Sequence, residues 1–119
     1  MQPYERFDAW KICHALALEV YKVTARYPDS ERYGLSSQAR RAAYSSAANI
    51  AEGSAKRGRK EFRRYLDISL GSLSELSYVL LISRDLGILA SDSYEELENL
   101  RNRAGQLTWK LYRSMGNRR

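Results

Sequence analysis

Apolar residues in the first 30 positions recur at alternating intervals of four and three. This spacing keeps their side chains on one face of an α-helix. The stripe consists of Ala9, Cys13, Leu16, Val20, Val23 and Tyr27. Because proline cannot continue a helix interior, Pro28 ends it. The pattern therefore predicts a first helix over about residues 8–27.

A second stripe follows a predicted turn at residues 29–34, and it is built mostly of small residues. Its members are Leu35, Ala39, Ala42, Ser46, Ile50 and Gly53. Small side chains allow a neighbouring helix to approach closely. The stripe predicts a second helix over about residues 36–56 with a tightly packed partner.

Two longer stripes fill the second half of the chain. The third consists of Phe62, Leu66, Ser69, Leu73, Leu76, Leu80 and Ser83, and the fourth of Leu97, Leu100, Ala104, Leu107, Leu111 and Met115. They predict helices over about residues 59–86 and 93–115. Gly87 is the expected C-terminal cap of the third helix, and Ser93 with Glu96 forms a capping-box pattern before the fourth.

No segment shows the strict alternation of a β-strand, and all the predicted connections are short, so neighbouring helices should run antiparallel. The predicted fold class is all-α, an antiparallel up-down-up-down four-helix bundle. At 119 residues and 13.7 kDa the chain suits a single domain spanning residues 1–119.

Composition excludes several classes of protein. Cys13 is the one cysteine, so no intramolecular disulfide can form, which fits a reducing cytoplasm. One His and one Cys cannot build a zinc site, and no metal or cofactor is predicted. The longest hydrophobic region, residues 68–82, contains Glu75 and several serines, so no membrane span is expected.

No catalytic constellation is evident. Residues 53–60 contain two glycines five positions apart, as in a phosphate-binding loop, but Arg59 and Lys60 stand where that motif needs Lys and Ser or Thr. His14 adjoins Cys13 on the predicted first helix, where neighbouring side chains diverge by about 100°. We therefore predict no enzyme and no catalytic residues.

Glu75 lies between two leucines on the most apolar predicted helix. A buried carboxylate needs a partner, because burial without one raises its pKa. Arg40 and Arg41 on the small-residue helix are candidates, and Glu52 is a second carboxylate near the far end of that helix. We expect a buried ion pair or hydrogen-bond network that fixes helix register, with a catalytic carboxylate as the alternative.

Four aromatic residues fall beside or opposite the apolar stripes: Trp10, Tyr21, Trp109 and Tyr112. They are consistent with packing at the edge of the core. They are equally consistent with a subunit interface, since interfaces are enriched in Trp and Tyr and large exposed apolar patches are unusual in monomers. Both interpretations stay open.

The chain is basic, with 20 Lys and Arg against 14 Asp and Glu and a net charge of +6. Six cations within nine positions form what we call the basic patch: Lys56, Arg57, Arg59, Lys60, Arg63 and Arg64. Most of them crowd a predicted helix start, where the macrodipole disfavours each cation by about 0.3–1 kcal/mol. A bound anion would offset this cost, so the patch predicts weakly sequence-selective binding of RNA or DNA backbone. The alternative is that the basic patch is exposed only to solvent or binds an acidic protein partner.

Several short motifs together resemble a known family. They are residues 31–35 (ERYGL), Gln38, residues 40–43 (RRAA), Ser45, residues 49–53 (NIAEG) and residues 71–76 (GSLSEL). In this order they resemble the four-helix bundles encoded in intervening sequences of bacterial 23S rRNA genes. One departure is that Ser46 and Ala47 stand where that family usually has Ile-Pro.

The resemblance implies a small bacterial cytoplasmic bundle without enzymatic activity that assembles into a ring, a homopentamer. A related branch, the accessory variability proteins of diversity-generating retroelements, comprises basic pentamers that bind nucleic acid and a reverse transcriptase. The resemblance thus implies RNA or DNA, and a reverse transcriptase or other protein, as partners. The alternative is a structural or protein-interaction module with no nucleic-acid role.

Overall fold

A computed structural model of the chain describes residues 1–116. This part of the chain forms four α-helices: α1 (Asp8–Thr24), α2 (Leu35–Ser54), α3 (Gly58–Asp85) and α4 (Ser91–Ser114). Short 3₁₀ turns at Pro3–Arg6 and Asp29–Glu31 precede α1 and α2. No strand occurs among the described residues, so the predicted all-α class is confirmed.

The helices pack as a square prism of about 50 × 21 × 21 Å. Both α1 and α3 pack against α2 and α4, and the diagonal pairs make no close contact within residues 1–116. Successive helices run antiparallel, because the end of each helix contacts the start of the next. One end of the bundle therefore holds the starts of α1 and α3 and the ends of α2 and α4.

The helix ends lie within three residues of the predicted ones, with physical reasons for the differences. Helix α1 ends at Thr24 because Tyr27 precedes Pro28, and the residue before a proline disfavours helical backbone. The capping box predicted at Ser93 is wrong, since α4 begins at Ser91 after an extended Ala90. Gly87 has the left-handed backbone, φ 76°, expected at a helix C-terminus.

The predicted stripes form the core, and all seven residues of the third stripe are buried. Polar groups inside the core find partners: the Ser69 hydroxyl donates to the carbonyl oxygen of Ser46 at 2.7 Å, and Cys13 Sγ lies 3.7 Å from Thr108 Oγ1. Burial raises the pKa of the Cys13 thiol, so the group stays protonated and behaves as a small apolar side chain.

The small residues of α2 bring it close to α3, and this is the most extensive helix pair. A Cβ added at Gly53 would lie 2.6 Å from Tyr65 Cβ and 2.9 Å from Phe62 Cδ1, so a larger residue would force the helices apart. Further along the same seam, the hydroxyls of Ser45 and Ser72 lie 2.8 Å apart. We call this contact the α2–α3 seam.

Helix α3 is the one helix in residues 1–116 that is long and apolar enough, by length and composition alone, to cross a membrane. In the structure its apolar stripe faces the interior of the bundle, with Leu66, Leu76 and Leu80 fully buried. The apolar character of α3 is therefore accounted for by its place in the core of the bundle.

Candidate nucleic-acid interface

The basic patch lies at one end of the bundle, in the connection between α2 and α3 and the first two turns of α3. We call residues 1–14, 49–68 and 106–116 the basic end, because they include ten Lys and Arg and five Asp and Glu. Residues 20–41 and 75–101, which we call the opposite end, include seven Lys and Arg and eight Asp and Glu. The net positive charge of the described residues is thus concentrated at one end. Arg118 and Arg119 lie outside the described residues.

The start of α3 is shaped by a glycine and lacks a side-chain cap. Gly58 has φ +82°, a left-handed backbone that other residues adopt at a cost, and it turns the chain from α2 into α3. Arg57 is the N-cap, and within residues 1–116 no side chain accepts from the first-turn N–H groups as a cap. These N–H groups therefore remain available to an external acceptor.

Two patch residues contact the end of α4. Arg59 Nη1 donates to the carbonyl oxygen of Ser114 at 2.8 Å, and the Arg63 guanidinium lies 4.2 Å from the centre of the Tyr112 ring. Cations are stabilised at a helix C-terminus by its dipole. The end of α4 thus offsets part of the electrostatic cost of crowding cations at the start of α3. The sequence pattern indicated only a bound anion in that role and gave no sign of this contact.

Five of the six patch residues are exposed: Lys56, Arg57, Arg59, Lys60 and Arg64. Lys56 and Arg64 share one aromatic ring, with charged groups 5.6 Å and 4.7 Å from the centre of Tyr65. Arg64 also lies 3.4 Å from Glu61, and this hydrogen bond raises the pKa of Arg64. A cation over a ring keeps its full charge, so most of the patch is not neutralised.

A cleft of about 650 Å³ opens between the start of α3 and the end of α4. Four patch residues line it: Arg59, Lys60, Arg63 and Arg64. Tyr112 forms an aromatic wall, and Glu61 and Asp67 add two carboxylates. Arg63 Nε is buried and has no hydrogen-bond partner among the described residues. The cleft therefore combines guanidinium groups with an aromatic surface, a combination suited to phosphate and sugar contacts.

Two tyrosines belong to this site that the sequence pattern did not place there. The sequence pattern places Tyr112 at the edge of the core or at a subunit contact, and it gives no role to Tyr65. Both lie under arginines of the patch. The available signal was an aromatic residue directly after Arg64, a pattern found in nucleic-acid-binding surfaces.

The predicted ion-pair group is assembled only in part. Arg41 Nη2 lies 3.0 Å from Glu75 Oε2 and joins α2 to α3. The expectation that this pair is buried is wrong, because the side chains are 62% and 42% exposed. Glu75 lies on the outer side of α3 together with the exposed Ile68 and Tyr78, so the apolar residues around it in sequence do not enclose it.

Arg40 and Glu52 have different surroundings. Arg40 Nε donates to Thr24 Oγ1 at 2.8 Å, and its Nη2 donates to the carbonyl oxygen of Tyr21 at 3.3 Å. Arg40 therefore binds the C-terminal end of α1, and its hydrogen bonds within residues 1–116 go to no carboxylate. Glu52 is exposed and makes no ion pair within residues 1–116. The expected four-residue network is therefore not present among the described residues.

The four predicted interface aromatics lie on two separate surfaces. Trp10 and Tyr21 line an apolar groove of about 760 Å³ between α1 and α2, where Trp10 stacks on His14 at 4.9 Å. Trp109 and Tyr112 stack on each other at 5.3 Å on α4. Tyr21 and Trp109 are about half exposed, whereas Trp10 and Tyr112 are largely covered. The two pairs cannot lie in one patch, since Tyr112 adjoins α3 across the bundle from the α1–α2 groove.

Comparisons with known proteins agree with this architecture. The family described as 23S rRNA-intervening sequence protein matches residues 5–110. The fold is similar to a crystal structure from Bacteroides thetaiotaomicron VPI-5482, described as a protein with unknown function from the S23 ribosomal protein family. The TM-score is 0.78 at 21% identity, covering 87% of this chain and 97% of that one. No curated protein matches the chain. The match over most of its length shows that the chain belongs to the 23S rRNA-intervening sequence protein family.

Proposed function

We propose that this protein is a non-enzymatic, oligomeric bundle that binds the backbone of RNA or DNA through its basic end. The observation that carries the proposal is the concentration of charge: that end has ten cations and five carboxylates, and five of the six patch residues are exposed. A surface of this kind attracts a polyanion over several ångströms beyond contact.

The type of side chain supports backbone contacts over base recognition. Lys56, Arg57 and Lys60 are long, exposed cations around a helix start, and such groups bind phosphates without reading sequence. The uncapped N–H groups of α3 add phosphate donors at the same place. We therefore expect strong dependence on salt and little dependence on sequence.

The α1–α2 groove supports self-association. Leu18 and Tyr44 on its surface are 54% and 63% exposed, and they lie beside Trp10 and Tyr21. We propose a homopentamer with this groove at the subunit contact, in line with the resemblance described above. Five copies would repeat the basic end and raise avidity for a polyanion without new contacts in any subunit. The same resemblance makes a reverse transcriptase or another protein a proposed partner, and the cytoplasm the proposed location.

A second candidate is a structural or protein-interaction module. The contacts of Arg59 with Ser114 and of Arg63 with Tyr112 favour it, because they give two patch residues a role in holding α3 to α4. On this view the exposed cations meet an acidic protein or only solvent.

Salt dependence separates the two candidates. Affinity for a mixed-sequence DNA duplex is measured between 50 and 300 mM salt, with an RNA of the same length in parallel. Phosphate contacts by Lys56, Arg57, Lys60 and Arg64 would give a slope of log affinity against log salt of about −4 for each protomer that touches the duplex. Absence of binding at 50 mM salt would exclude the proposed function in favour of the second candidate.

Light scattering of the same sample tests the assembly separately. The proposal expects about five times the 13.7 kDa of the chain. A mass of one chain at micromolar concentration would contradict self-association and leave the binding proposal to be judged by its own result.

A further inference from the structure

A second cavity lies at the opposite end of the bundle, where α1 ends and α2 begins. It has a volume of about 540 Å³, within the range of small-molecule sites. Three arginines and four tyrosines line it: Arg32, Arg40, Arg41, Tyr21, Tyr27, Tyr33 and Tyr44. We call it the corner cavity. The proposed binding at the basic end makes no use of it, although Tyr21 and Tyr44 also line the α1–α2 groove.

Arg40 is the fixed arginine of the corner cavity. Its guanidinium donates to Thr24 Oγ1 and to the carbonyl oxygen of Tyr21, and it lies 4.7 Å from the centre of the Tyr21 ring. A guanidinium has five N–H donors. Two are used within residues 1–116, so three remain for another acceptor. An arginine held in this way loses little side-chain freedom when it binds a ligand.

Arg32 is the second free donor. It is exposed, and its side chain has no hydrogen bond or ion pair to other residues of the described part of the chain. Arg41, by contrast, already donates to Gln38 and Glu75. Guanidinium groups match the geometry of phosphate oxygens, so Arg32 and Arg40 point to a phosphorylated ligand.

The remaining lining residues indicate what else the ligand carries. Asp29 is the one carboxylate among the lining residues, and it can accept hydrogen bonds from hydroxyl or amino groups, which a bare phosphate lacks. Burial raises the pKa of the Tyr27 hydroxyl, so this ring is neutral and leaves the positive charge of the cavity intact.

Two tyrosine rings at the cavity are open for stacking. Tyr33 is 88% exposed and Tyr44 is 63% exposed, and neither stacks on another aromatic ring among the described residues. Tyr44 also lines the α1–α2 groove, which the proposed pentamer would cover, so Tyr33 is the ring that stays open in that assembly. Exposed aromatic rings beside arginines are the means by which proteins hold unpaired bases.

We infer that the corner cavity binds a nucleotide, with its phosphate on Arg32 and Arg40 and its base against Tyr33. A free nucleotide and an unpaired nucleotide of a single strand present the same chemistry. A duplex does not, because its bases are stacked inside. The inference does not rest on the proposed function, since the cavity and the basic end lie toward opposite ends of a 50 Å bundle.

Two variants with matched controls test the inference. Tyr33→Ala and Arg32→Ala change the cavity, whereas Tyr78→Ala and Arg26→Ala remove exposed residues of the same types outside the cavity at the same end. Each is titrated with a labelled single-stranded oligonucleotide, a nucleoside monophosphate and inorganic phosphate. We expect about a tenfold loss of single-strand affinity in each cavity variant and no change in the controls.

The three probes identify the source of the ligand. Submillimolar binding of the monophosphate that both cavity variants lose indicates a free nucleotide. Loss confined to the oligonucleotide indicates a single strand. Inorganic phosphate should bind more weakly than either, because it offers nothing to the tyrosines.

The inference is overturned if both cavity variants bind the oligonucleotide and the monophosphate as the unmodified protein does. Duplex binding by the same variants distinguishes this failure from a failure of the proposed function, since a duplex should bind them normally through the basic end. Both changed residues lie outside the helices and the core, so loss of folding does not obscure the result.

Discussion

The basic end of the bundle carries ten cations and the opposite end carries seven. The groups that these cations contact can be compared. At the opposite end three arginines lie against carboxylates: Arg41 on Glu75, Arg84 on Asp85 and Arg101 on Glu98. At the basic end Arg59 donates to a carbonyl oxygen, and Lys56 and Arg63 lie over tyrosine rings. A carboxylate cancels the field of its partner, whereas a ring or a carbonyl leaves the net charge unchanged. Both kinds of partner occur at both ends, since Arg64 lies on Glu61 at the basic end and Arg40 lies over Tyr21 at the opposite end. The basic end has ten cations and five carboxylates, against seven and eight, so the balance of charge, more than the number of cations, makes it attractive to a polyanion.

The largest expected effect comes from reversing charge at one end only. Lys56→Glu with Lys60→Glu should lower duplex affinity about thirtyfold at 0.15 M salt, because each lost phosphate contact removes about 0.9 from the salt slope. Lys22→Glu with Arg26→Glu changes the net charge equally at the opposite end and should cost less than twofold. Fluorescence anisotropy with a labelled duplex measures both. Equal losses would show that only total charge matters and that the two ends are equivalent to a polyanion.

Stability should respond oppositely to two glycine substitutions. Gly53→Ala, in the α2–α3 seam beside the patch, should lower the free energy of unfolding by about 2 kcal/mol, since the added Cβ meets Tyr65 and Phe62. Gly71→Ala, exposed on α3 with nothing within 4 Å among the described residues, should raise it by about 0.5–1 kcal/mol. Urea unfolding measures both values. A Gly53→Ala protein as stable as the parent would mean that α2 and α3 are not closely packed at Gly53.

The smallest expected effect distinguishes an arginine that contacts a carboxylate from an arginine that contacts an aromatic ring. Double-mutant cycles on Arg41 with Glu75 and on Arg63 with Tyr112 should each give a coupling of about 0.5 kcal/mol at low salt. In 1 M salt the exposed Arg41–Glu75 coupling should disappear, because it is screened, whereas the half-buried Arg63–Tyr112 contact should persist. Equal loss at both sites would show that salt weakens the two kinds of contact alike.

The fold was predictable because helix patterning is a local property of the chain. The third stripe is buried from Phe62 to Ser83 as its spacing requires. The ends were less predictable, since the stop of α1 at Thr24 depends on backbone restriction before Pro28, whereas the apolar pattern continues to Tyr27.

The site was predictable only where it is contiguous in sequence. The basic patch is a run of charge and is visible without a structure. Arg59 meets Ser114 across 55 residues, and the exposure of Glu75 depends on where α2 lies, so neither follows from spacing along the chain. The corner cavity was missed for the same reason, because Arg32 and Arg40 converge only when the chain turns between α1 and α2.

The α2–α3 seam has a consequence for how the chain folds. Its contacts join residues close in sequence, such as Ser45 with Ser72, 27 positions apart, whereas Cys13 and Thr108 are 95 apart. Contacts between neighbouring helices all cost little loop-closure entropy, and the seam is the most extensive of these helix pairs. This hairpin should therefore form early, and α1 and α4 should dock later. Changes in the seam should then slow folding, and changes at Thr108 should mainly speed unfolding. Since the basic patch spans the turn of this hairpin, a nascent chain would present it to a polyanion before the bundle closes.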